Sequence, residues 1–124
     1  MQWLMIAIGG ALGSMARYAA VSYITPLFAY RFPFGTFIVN ISGSFLIGVA
    51  YVVIVEKAII PVEWRLFFIT GIIGGYTTFS SFSLEVLQTW QEGYPLNSIL
   101  YVTGSVFLGL LATYIGMQLT QKLF

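Results

Sequence analysis

The 124-residue chain contains no cysteine and no histidine. Disulfides, thiolate chemistry and histidine-based metal sites are therefore excluded. Charge is nearly absent too: 5 basic and 4 acidic residues make up 7% of the chain, where soluble domains carry about a quarter. A chain so poor in charge could not keep itself in water. Its net charge of +1 gives no electrostatic footprint for nucleic acid. No residue pattern resembles a nucleophile with its base, a metal cluster or a phosphate loop, so an enzyme reading has nothing to stand on. The apolar run from Met1 to Leu12 has no basic residue before it, which argues against a cleaved signal segment.

What is present is hydrophobic: 59% of residues, with a mean hydropathy of +0.93. Crossing a membrane takes about 20 mostly apolar residues. Four segments qualify, at roughly 3–24, 35–55, 62–91 and 96–119. The reading is an all-α membrane protein, one domain over 1–124, folded as an up-down bundle. Trp3, Trp64, Trp90 and Tyr94 lie near span ends, where aromatic belts form. Gly9 with Gly13, Gly71 with Gly75, Ser44 with Gly48 and Ser105 with Gly109 have the spacing that lets helices approach closely. Lys57, Arg65 and Lys122 on one side face Arg31, with Arg17, on the other. That is almost no positive-inside bias, so the chain is expected to insert both ways up. Two opposed copies would form an antiparallel, dual-topology homodimer.

The third segment carries Gly71-Ile72-Ile73-Gly74-Gly75-Tyr76-Thr77-Thr78-Phe79-Ser80-Ser81-Phe82-Ser83. Irregular backbone in lipid survives only where protein buries it or a polar cavity receives it. A mid-membrane break at 74–77 would free carbonyl oxygens suited to a hard monovalent cation. A plain kink satisfied by the Thr77 and Thr78 hydroxyls is the equal alternative.

Beyond the break, Phe79 and Phe82 share a helix face, with Thr78, Ser81 and Glu85 on a neighbouring stripe and Ser80 and Ser83 nearby. Ring edges are positive and could meet a small anion, although ordinary core packing is the commoner use of such a pair. Asn40 offers amide donors to an anion or a bond across to another helix. Tyr101 and Ser105 add hydroxyls from the fourth segment. Arg17 could snorkel or line a vestibule and attract anions. Glu85 is the carboxylate clearly inside a span, which makes it a functional candidate.

These motifs resemble the Fluc (CrcB) fluoride channels of bacteria over nearly the whole chain. Gly74-Gly75-Tyr76-Thr77-Thr78-Phe79-Ser80-Ser81-Phe82-Ser83 is close to the family's GGxTTFSTFS signature. Gly35-Thr36-Phe37-Ile38-Val39-Asn40 with Gly43-Ser44-Phe45 resembles its GTxxVN…GSF segment, and Gly9-Gly10 through Arg17-Tyr18 its GGxxGxxxRY. The resemblance implies two fluoride pores per antiparallel dimer, which let accumulated fluoride leave the cytoplasm and exclude chloride. It places Phe79, Phe82 and Asn40 in the pore, and Thr78, Ser80, Ser81 and Ser83 on a polar track. Tyr101 and Ser105 would match fourth-helix pore residues; the residue reading, not the resemblance, offers Arg17 and Glu85 as vestibule residues, with snorkelling the alternative for each. It also implies a structural sodium ion (Na+) on the backbone carbonyls of Gly74 and Thr77 from both subunits. Ser81 stands where the signature has threonine, keeping the hydroxyl and losing a methyl. The rival reading is a small proton-coupled multidrug exporter. That chemistry needs an acid in the first helix, and 3–16 contains no carboxylate. A structural membrane subunit would need none of these polar residues.

Overall fold

The computed structural model describes residues 1–28 and 31–124, and no strand occurs among them. Helix α1 (Gln2–Ile24) tightens into a 3-10 turn, Thr25–Leu27, where Pro26 withholds an N–H. Helix α2 (Phe34–Ala50) continues as a wider π-helical stretch, Tyr51–Glu56. Helix α3 joins a π-helical stretch, Leu66–Ile73, to an α-helical turn, Gly74–Tyr76. Helices α4 (Phe79–Gln91) and α5 (Pro95–Leu123) complete the chain. Pro95 opens α5, where a missing N–H does no harm.

Among the described residues, three continuous helical runs are long and apolar enough to cross a membrane: Gln2–Leu27, Phe34–Glu56 and Pro95–Leu123. The third segment read from the sequence is divided instead. Its two parts, α3 and α4, meet end to end, and neither reaches the length of a span by itself.

Packing rests on missing side chains rather than on a large core. The buried apolar residues are Val39, Val52, Ile54, Ile73 and Tyr101, while large apolar side chains such as Leu12, Leu46, Phe107 and Leu110 face outward. That inversion suits lipid, which gives helices no hydrophobic reason to associate. Close backbone approach replaces it. A Cβ on Gly9 would lie 2.5 Å from the Phe67 carbonyl oxygen, and one on Gly71 2.9 Å from Gly9 Cα. A Cβ on Gly13 would strike the Ile72 carbonyl, so α1 and α3 touch along their glycine faces.

Helices α2 and α5 meet the same way, through Gly48 against the Thr113 carbonyl and Gly116 against the Phe45 carbonyl. Thr113 adds a hydroxyl donated to the Ser44 carbonyl at 2.8 Å. Gly104 on α5 has only the edge of the Phe37 ring nearby, at 3.5 Å. Gly116→Ala should therefore cost about 1–3 kcal/mol through overpacking and lower the melting temperature in detergent. Gly104→Ala should leave it unchanged. Equal melting of the two variants would show that close backbone approach does not hold this pair.

Candidate functional site

Helix α3 ends at Tyr76, and Thr77 (φ −83°, ψ 157°) and Thr78 (φ −150°, ψ 123°) are extended before α4 begins. The sequence places the unwinding at 74–77, whereas the helical turn persists through Tyr76 and the extended pair is Thr77 and Thr78. The glycines have another task. A Cβ on Gly75 would lie 2.7 Å from the Gly10 carbonyl oxygen, so Gly75 is where α1 presses on the end of α3. The threonines, β-branched and at ease in extended backbone, carry the break itself. Gly43 on α2 makes room for it, because a Cβ there would collide with the Thr77 methyl.

The freed backbone groups find partners on three elements. Thr78 N–H donates to Asn40 Oδ1 at 2.8 Å, and Asn40 Nδ2 donates to the Thr78 carbonyl at 3.0 Å. Only one orientation of the amide satisfies both bonds, so the network fixes it. Ser81 N–H donates to Thr78 Oγ1 at 3.2 Å, a side-chain cap for α4. Thr77 donates both its N–H and its hydroxyl to the Ile73 carbonyl at 3.0 Å. Arg17 Nε donates to the Gly75 carbonyl at 3.1 Å. Among the described residues, no donor outside the helices reaches the carbonyls of Gly74 and Thr77.

Two cavities meet at Thr78. One, of about 320 Å³, is lined by Asn40, Ser44, Thr77, Thr78, Phe79, Phe82 and Ser105, among others. The rings of Phe79 and Phe82 lie 5.6 Å apart at 51°. Ser105 lines this cavity, and its Oγ is buried with no hydrogen-bond partner among the described residues. The second, of about 430 Å³, is lined by Ser14, Arg17, Thr36, Thr78, Ser81 and Glu85, with Tyr18, Val21 and Leu84. Ser80 and Ser83 line neither. Ser80 Oγ lies 3.4 Å from Thr78 Oγ1, and Ser83 donates to the Phe79 carbonyl at 3.0 Å.

Glu85 is held from two sides, by the Thr36 hydroxyl on Oε2 at 3.1 Å and the Tyr101 hydroxyl on Oε1 at 3.3 Å. Tyr101 is wholly buried, and its ring meets the Phe82 ring edge-on at 5.0 Å and 70°. Its hydroxyl thus serves the carboxylate, while its ring backs Phe82. Thr36 and Gly43 escaped the sequence reading as site residues. A signal was available, since Thr36, Asn40 and Ser44 recur at four-residue steps and Gly43 adjoins that face of α2.

Against known proteins, residues 4–117 match the model of the CrcB-like protein, Camphor Resistance (CrcB) family. The chain belongs to the CrcB family. It is 47% identical to a protein of Saccharophagus degradans named fluoride-specific ion channel FluC, over 98% of this chain and 90% of that one. It is 42% identical to the protein of that name from Acidobacterium capsulatum, over 99% and 98% of the two chains. For the Solibacter usitatus protein, also so named, the identity is 43% over 98% and 100%. CrcB membership and three apolar helices of spanning length make this a multi-pass integral protein of the plasma membrane.

Proposed function

We propose that this CrcB protein is a passive, fluoride-selective channel through which fluoride leaves the cytoplasm. The observation that carries the reading is the cavity where the Phe79 and Phe82 rings, Asn40, Thr78 and Ser105 converge. Fluoride is small and strongly hydrated, so a path for it must replace water with several close donors. Hydroxyls and ring edges on a narrow track do so without a fixed cation that would trap the ion. The start of α4 adds its positive dipole end beside Thr78. The relatives' names supply the identity of the anion.

In this reading α3 and α4 act together as one interrupted crossing, giving four spans. The working unit is an antiparallel homodimer with two pores. The Phe79 ring is 78% exposed although it lines the cavity, so a single chain leaves the path uncovered on that side. A second, inverted copy supplies the missing wall. The sodium site would fall at the end of α3, where no donor outside the helices, among the described residues, reaches the Gly74 and Thr77 carbonyls at the negative end of a half-helix. Carbonyl oxygens of that kind fit a hard monovalent cation, which would hold the two breaks together.

The test is efflux from liposomes carrying purified protein, read with a fluoride electrode, beside chloride-loaded liposomes. The expected result is fast fluoride release that depends on valinomycin, without chloride release. No fluoride release from folded dimer would sink the channel reading and favour the drug exporter or a structural subunit.

A further inference from the structure

Arg17 follows Gly9 and Gly13 on α1 at four-residue steps, so all three lie on one helix face. That face is pressed against α3 by glycine contacts closer than any side chain allows. The stripe therefore delivers the Arg17 side chain to the end of α3 with little freedom in register. There its Nε meets the Gly75 carbonyl at 3.1 Å. Gly75 would bond to the N–H of residue 79 in a continuous helix, and the extended Thr77 and Thr78 put that group out of reach. This is also the only hydrogen bond from an α1 side chain to another element among the described residues.

Building on the channel reading, we propose that Arg17 is a positioning residue for the anion path. Its Nε–H holds the Gly75 carbonyl and so fixes the end of α3, from which Thr77 and Thr78 leave toward Asn40 and the phenylalanine cavity. A cation at the carbonyl end of a half-helix is also favoured by the dipole there. The bond makes the donor atom, more than the charge, the feature that matters for conduction. A vestibule arginine that only raises the local anion concentration would act through charge alone.

Side-chain length separates the two. Glutamine places its Nε2 the same number of bonds from the backbone as arginine places Nε, but carries no charge. Methionine matches that length with no donor, and lysine keeps the charge with its nitrogen one atom further out. Arg17→Gln should retain fluoride efflux within about fivefold of the unaltered protein, the difference between a charged and a neutral donor. Arg17→Met should lose at least about tenfold, the cost of leaving the carbonyl unpaired at the barrier. Melting temperatures in detergent should follow the same order, which tests the bond independently of any flux.

Arg17→Met with full efflux and unchanged melting would overturn the proposal. So would efflux that survives in Arg17→Lys but fails in Arg17→Gln, because charge would then be the active feature. Loss in Arg17→Gln as deep as in Arg17→Met would overturn the role of Nε. A Met variant that fails to fold beside a folded, conducting Gln variant supports it. Should the unaltered protein release no fluoride, the channel reading fails, while the melting order still decides whether Arg17 holds the break.

Discussion

Phe82→Ile should slow fluoride efflux by about 30-fold or more while the protein still folds and assembles. A desolvated cation over a ring face gains about 2 kcal/mol; taking the same scale for an anion at the ring edge, and tenfold in rate for every 1.36 kcal/mol at the barrier, gives this figure. Isoleucine fills much of the volume yet has no positive edge to offer. The substitution also removes the ring that Tyr101 meets edge-on at 5.0 Å, so the anion wall loses both its chemistry and its backing. Tyr101→Phe provides the contrast. It keeps the ring behind Phe82 and removes the hydroxyl donated to Glu85 at 3.3 Å. Full-rate efflux in Phe82→Ile would count against a path past the ring edges.

The second large effect is expected at Asn40. Replacing it by leucine strands the N–H and the carbonyl of Thr78 together, at about 1–3 kcal/mol for each unsatisfied group. Melting should fall steeply and transport should disappear. Asn40→Asp divides the roles, because a carboxylate still accepts from Thr78 N–H but has no hydrogen for the carbonyl and none for an anion. That variant should fold better than the leucine one and still conduct less than about a tenth as fast, by the tenfold-per-1.36 kcal/mol relation. Asn40→Leu with normal melting and normal efflux would show that the amide neither supports the break nor serves the path.

Asn40 also shows where sequence reading stops. Three spans, the interruption of a fourth segment and the pairing of Phe79 with Phe82 follow from hydropathy, composition and helical spacing, all local properties. The partner of Asn40 lies 38 positions away, and the partners of Glu85 lie 49 and 16 positions away. Only the packing of helices brings such groups together. The glycines allow two readings for a related reason, as a close-packing pair and as part of the break. Glycine serves an unwound turn and a close crossing equally well, and the neighbouring helix decides which. With α1 pressed against Gly75, the crossing use prevails, and the unwinding falls to Thr77 and Thr78. Side chains placed together on a polar track by motif also separate in space. Ser81 faces the Arg17 cavity, whereas Ser83 spends its hydroxyl on the Phe79 carbonyl.

The double bond between Asn40 and Thr78 is in effect a single rung of β-ladder, made by one side chain standing in for a strand. Returning Thr78 to a continuous helix would require breaking both bonds at once. The bend is therefore a braced element rather than a hinge. In the channel reading proposed above, a break held this way leaves the ion's electrochemical gradient to set the direction of passage.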